Sequence, residues 1–267
     1  MLLSPIINAI LRRSKHEREK LTLQFLVEIL VIDSGEIVLS RLGGVVMRRA
    51  EIPKVYHVRQ QFERTRVADC AAAVYREMQQ LFPDAKRLAR KRIAVGVGSR
   101  GISSINVIVR TVLDFFKAQA ALPFIVPAMG SHGGATPEGQ TKVLAHYGIT
   151  EESMGVPIRC EMESCVAATS ANGVNVYCAV PAWEADGIFP VNRIKPHTDM
   201  KGEIESGICK MLAIGFGKLR GAEEYHGHIP GIGLEAAIVA AASELLKSGK
   251  IIGGLAIIEN AITKRQA

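Results

Sequence analysis

The feature that most constrains this chain is an alternation of short apolar runs, glycine turns and amphipathic stretches between residues 92 and 147. Arg92 to Gly98 (RIAVGVG) is a β-branched run ending in glycine, as a strand buried on both faces does. Ile102 to Ala120 has helical spacing, and Pro123 to Met129 is a second apolar run of strand length. Strand, glycine turn, helix and strand in that order make the unit of a parallel α/β sheet. Val67 to Leu81 predicts a preceding helix, with Ala, Val and Met on one face. Thr136 to Tyr147 predicts a following one, opened by Thr136, Pro137 and Glu138. Val174 to Val180, Gly187 to Val191 and Ile251 to Ile258 read as further strands, and Leu234 to Ser248 as an Ala-rich helix. The expected fold class is therefore α/β, a mostly parallel sheet with flanking helices, in one principal domain over residues 51–267. Residues 1–50 are less regular and are expected to be an N-terminal extension, within which Leu21 to Ile32 fits a strand or a short helix.

Composition narrows the function classes. With 267 residues, 48% hydrophobic and 22% charged, the chain suits an ordinary globular protein. One Trp and 5% aromatic residues argue against a base-stacking platform for nucleic acid. The net charge of +7 is concentrated at one end: residues 1–100 carry 19 Lys and Arg against 10 Asp and Glu, and the remainder 14 against 16. Basic patches of this kind are solvated faces or contacts for an acidic partner, so nucleic acid stands only as a minor alternative. The longest apolar runs are broken by charge or too short to span a bilayer, and no membrane association is expected. Cys70, Cys160, Cys165, Cys178 and Cys209 show no zinc spacing and read as reduced thiols of a cytoplasmic protein. Homo-oligomerisation stays open.

In open α/β sheets ligands bind beyond the carboxyl ends of the strands. Arg100, His132 and His197 each follow a predicted strand, so three polar groups would converge on one crevice. Gly98-Ser-Arg-Gly101 lies at a strand-to-helix junction, where Arg100 either holds a carboxylate or phosphate or belongs to a plain turn. Gly130-Ser-His-Gly-Gly134 puts the imidazole of His132 beside Gly133 and Gly134, free of bulky neighbours and suited to proton exchange near neutral pH. Glu138, six residues on, could orient or cap. The stretch from Asn192 to His228 holds three of the seven histidines. Pro196 fixes the chain before His197, and Lys195 would share its direction if the segment is extended. Lys210 lies in an apolar setting that lowers an amine's pKa and makes it a candidate nucleophile or covalent anchor, with Cys209 beside it. His226, 16 residues later, is a candidate metal ligand, and His228 a second one or an exposed residue. The expectation is two loops, Pro127–Glu138 and Asn192–His228, facing each other across a cofactor.

Four ordered motifs carry a resemblance: Gly98-Ser-Arg-Gly-Ile, Pro127-Ala-Met-Gly-Ser-His-Gly-Gly-Ala-Thr, Asn192-Arg-Ile-Lys-Pro-His-Thr-Asp, and Glu205-Ser-Gly-Ile-Cys-Lys-Met-Leu-Ala-Ile-Gly-Phe-Gly-Lys. Together they resemble the lactate racemase family, and more narrowly its uncharacterised lactate-racemase-like branch. The resemblance implies the fold of that family's N-terminal domain. It also implies nickel held in a nickel-pincer nucleotide, pyridinium-3,5-bisthiocarboxylic acid mononucleotide. By the same resemblance Lys210 tethers the nucleotide and His226 ligates nickel. The resemblance further implies that His132 and His197 exchange the hydroxyl proton on opposite faces of the substrate and that Arg100 holds its carboxylate; Gly98, Gly133, Gly134 and Lys195 are expected to line the cofactor.

The implied reaction is racemisation or epimerisation of a 2-hydroxy acid through a planar 2-keto acid, with hydride passing to the pyridinium ring and returning to the other face. The family's characterised racemases continue into a second α/β domain that closes over the site, and this chain is expected to lack it. The alternative implied is a non-catalytic or truncated cofactor- or nickel-binding domain. A basic residue follows the first histidine in the lactate enzymes, where this chain has Gly133, so the particular acid is left open.

Overall fold

A computed structural model describes residues 30–33, 36–39 and 67–259, apart from 172, 197–201, 203, 228–230 and 232. The chain divides into two compact units, Met1–Gln61 and Phe62–Ala267. In the first, β1 (Leu30–Asp33) pairs antiparallel with β2 (Glu36–Leu39), so this part of Leu21 to Ile32 is strand.

The second unit is built on four parallel strands. β3 (Arg92–Val97) lies between β4 (Leu122–Pro127) and β7 (Gly187–Arg193), and β8 (Leu255–Ile257) extends the sheet beyond β7. All three pairings are parallel, which bears out the expected α/β class. The alternation within β3 explains the two layers. Ile93, Val95 and Val97 pack with α1 (Cys70–Leu81) and α2 (Ile105–Ala118) through Met78, Val109, Val112 and Phe116. Ala94 faces the other layer with Phe216 and Ala237. Gly96 is small on that face because the Phe216 ring occupies the space: a Cβ there would lie 2.2 Å from its Cζ. Bulky and small residues thus alternate to match a helix layer on one side and an aromatic ring on the other.

Local signals explain the helix starts. Asp69 accepts from Ala72 N at 2.9 Å at the head of α1. Thr136 accepts from Gly139 N at 3.1 Å at the head of α3 (Pro137–His146), with Pro137 in the first turn. The short α4 (Glu151–Met154) opens with a reciprocal Thr150–Ser153 cap.

Two regions differ from expectation. The run Val174 to Val180 does form a strand, β6 (Asn175–Ala179), but it joins β5 (Ser164–Thr169) in a separate antiparallel ribbon. The β5 partner has no clean period of two, since Val166 is exposed while its neighbours are half-buried. A single turn, α5 (Val180–Trp183), leads from the ribbon toward β7.

The second correction concerns the expected loop from Asn192 to His228. From Ile208 on it is helical: α6 (Ile208–Lys210), a π-helical turn (Met211–Gly215) and α7 (Phe216–Gly227), kinked at Lys218. Met211, Leu212, Ala213 and Phe216 bury against α8 (Leu234–Lys247) and the sheet, and that burial overrides Gly215, Gly217 and Gly221, which argue for a loop. Gly215 is required for packing: a Cβ there would lie 2.7 Å from Ala128 O.

Candidate active site

Parallel pairing brings three chain exits side by side, because Val97 is in register with both Pro127 and Val191. The segments that follow carry Arg100, His132 and Lys195. Their common placement is the crevice at the strand ends where ligands bind in such sheets.

The first segment, Gly98 to Ser103, is held from beneath by a buried ion pair. Arg193 Nη1 lies 2.5 Å from Glu259 Oε2, and both side chains are 7% exposed. The same pair reaches the loop backbone: Arg193 Nη1 donates to Gly101 O at 3.2 Å, and Ser103 N donates to Glu259 Oε1 at 2.6 Å. Tyr147 Oη adds a bond to Ser99 O at 2.8 Å. Three side chains therefore shape the turn that presents Arg100, whose own side chain is exposed. Gly98 is half-buried, and a Cβ there would meet nothing nearer than 3.9 Å.

The second segment follows β4. His132 N donates to Met129 O, and Gly130 N donates to Gly215 O, each at 3.1 Å. Gly133 has φ +67° and sits against the backbone of Gly139, where a Cβ would come within 2.6 Å; its glycine is a packing requirement. Gly134 also has positive φ, but faces open space. Glu138 is exposed in the first turn of α3, while Thr136 makes the cap.

The His132 ring meets Ser99 across the two segments, with Nδ1 hydrogen-bonded to Ser99 Oγ. Burial first, and then the positive charges of Arg100 and Lys210, hold its pKa below 6.5. A neutral imidazole tied at Nδ1 leaves Nε2 for a ligand. Ser99, His132, Lys142, His146 and Tyr147 line a cavity of about 340 Å³ beside the ring.

The third segment is partly described. Asn192 Nδ2 donates to Gly207 O at 2.6 Å, and Lys195 N donates to Ser206 Oγ at 3.0 Å, tying the exit of β7 to the start of α6. Lys195 is half-buried and lies just past the end of β7. Lys210 ends α6, half-buried, and lies close enough to His132 to depress its pKa. Cys209 beside it is pushed up by burial and so stays protonated at neutral pH. His226 is exposed near the end of α7. His197 and His228 lie outside the described residues.

The electrostatics make a testable claim. Replacing Arg100 with glutamine removes a positive neighbour and is expected to raise the His132 midpoint, read by NMR of the ring, while Arg100→Lys leaves it nearly unchanged. The unfolded chain binds this proton more readily than the folded one. His132 therefore makes stability fall as pH drops through the window below 6.5.

Sequence reasoning singled out Arg100, His132 and Lys210, and these share one electrostatic neighbourhood. It missed Ser99, Gln140, Tyr147, Arg193, Lys218 and Glu259. Of these only Lys218, the first cation after an apolar run, carries a local signal.

No protein-family model and no curated protein matches the chain. Among solved structures it is similar to the lactate racemase apoprotein from Thermoanaerobacterium thermosaccharolyticum, with a TM-score of 0.54 and 17% sequence identity. The folds are related. The match covers 72% of this chain and 49% of that one, so this chain spans about half the length of the racemase it matches. At this identity the likeness concerns the fold, and function has to be argued from the residues.

Proposed function

We propose that this chain is a racemase or epimerase of 2-hydroxy acids that works with a lysine-tethered nickel-pincer nucleotide. One observation carries the reading: Arg100, His132 and Lys210, from three separate segments, are close enough that both cations depress the His132 pKa. An anion holder, a neutral base and an amine in one neighbourhood suit a negatively charged hydroxy acid beside a covalently anchored cofactor.

Lys210, half-buried and near His132, offers the amine that the proposed group needs. No cluster of three His, Cys, Asp or Glu able to hold a metal occurs among the described residues. His226, exposed near the end of α7, would be the protein ligand of nickel. Lys210 would carry the nucleotide through its amine. When bound, the nucleotide supplies an electron-poor ring able to take up a hydride.

The chain's own residues do the rest. Arg100 pairs with the substrate carboxylate and sets its orientation. His132, fixed by Ser99 at Nδ1, takes the hydroxyl proton at Nε2. His197 is proposed as the matching base on the other face, since inversion needs a proton carrier on each side.

The test is loss of optical activity from a single enantiomer of a 2-hydroxy acid, with chain loaded by co-expression with the pincer-synthesising enzymes. His132→Ala is expected to slow it by roughly 10²- to 10⁴-fold. A loaded chain that never racemises any 2-hydroxy acid would mean a carrier domain without turnover.

A further inference from the structure

Lys218 is fully buried, and no other charged side chain among the described residues is enclosed so completely. Its backbone has φ 56° and ψ −150°, a conformation that L residues adopt only when the surroundings impose it. Nζ donates to Pro127 O at 2.9 Å and to Gln140 Oε1 at 2.8 Å. Gln140 is equally buried, and its Nε2 donates to Gly130 O at 2.9 Å and His132 O at 3.3 Å. Two carbonyls facing Nε2 fix the amide's orientation, so Oε1 needs a donor, and Lys218 is that donor. Strain, burial and a buried cation thus meet at one point, the kink between the turn after Lys210 and the helix that bears His226.

We propose that Lys218 is a positioning residue that acts through Gln140, setting the His132 segment in register with the kinked helix that carries Lys210 and His226. The proposal deepens the site reading given above, on which its functional meaning rests. An apolar side chain at 218 would leave Pro127 O and Gln140 Oε1 buried without a donor, and Gln140 would lose its reason to face the loop. The Gly130–Gly215 backbone bond holds the loop's base separately, so loss of Lys218 frees the tip that carries His132 and leaves the strand end in place. The kink also serves access: it turns this amine into the core and leaves Lys210 as the half-buried one.

The test uses the full chain without cofactor, so its outcome is independent of whether the cofactor reading holds. Lys218→Met removes the donor. Gln140→Glu keeps the volume and the Lys218 partner while removing the two N–H groups that hold the loop. Each is expected to lower hydrogen-exchange protection of the His132 and Ala135 amides by roughly 10- to 100-fold, the factor for one hydrogen bond to a charged group, with β3 and α2 unchanged.

A purely structural role would leave the His132 ring alone. The proposal requires its NMR midpoint to rise toward 6.5 in both variants as the ring leaves its seat against Ser99, where desolvation lowers it, still facing Arg100, Lys210, Lys142 and His146. If Lys218→Met does not fold, Gln140→Glu decides on the same signals. Folded variants with protection within about twofold of the parent and an unmoved ring midpoint would overturn the proposal.

Discussion

A Lys210→Ala chain co-expressed with the pincer-synthesising enzymes is expected to show only its bare polypeptide mass, whereas the parent chain carries a cofactor-sized increment. The effect is all or none, because a covalent tether needs one nucleophilic amine and alanine has none. Lys218 is the obvious rival by chemistry, since burial lowers its pKa to about 8, well under the 10.5 of an ordinary lysine. Access decides against it. Its amine has no exposed surface and is already bonded to Pro127 O and Gln140 Oε1, so no nucleotide can reach it. Peptide mapping should therefore place the increment on Lys210 and never on Lys218. His226→Ala is the companion variant: the increment should remain and nickel should be lost. An increment that survives Lys210→Ala would end the cofactor proposal as stated.

The second large effect is on stability. Glu259→Ala should destabilise the chain by about 3–5 kcal/mol, because it leaves the Arg193 guanidinium buried without its counter-charge. For a body of this size that is a fall in melting temperature of roughly 6–20 °C. The side chains are 7% exposed, so the loss should be nearly insensitive to salt, unlike that of the exposed Arg110–Asp114 pair. Arg193 Nε has no partner even in the parent chain, so the pair is not an optimised source of stability. A double replacement by apolar residues should recover much of the loss. It should not recover the Gly98–Ser103 turn, because Gly101 O and Ser103 N would lose their partners. Thermal melts of the single and double variants measure the first claim. Exchange of the Ser103 amide measures the second.

The legible parts of this fold are those written over a few neighbouring residues. Ile93, Val95 and Val97 announce a buried strand, and Asp69 and Thr136 with Pro137 announce helix starts, because a pleat or a first turn spans only a few positions. The same reasoning placed Arg100 and His132 just past strand ends. It failed between Ile208 and Gly227, where Gly215, Gly217 and Gly221 argue for a loop and only burial against α8 makes the segment helical. It failed again at the β5–β6 ribbon, whose exposed Val166 breaks the pattern a strand should show.

By itself the sequence determined the α/β class, the order β3, α2, β4, α3, and which residues leave those strand ends. Only the tertiary structure decided their company: Ser99 with His132, Arg193 with Glu259, and Lys218 with Gln140, pairs separated by 33, 66 and 78 positions. The physical reason is reach. Periodicity and capping act between residues within a turn of one another, whereas these contacts exist only once parallel pairing has set Val97, Pro127 and Val191 in one row.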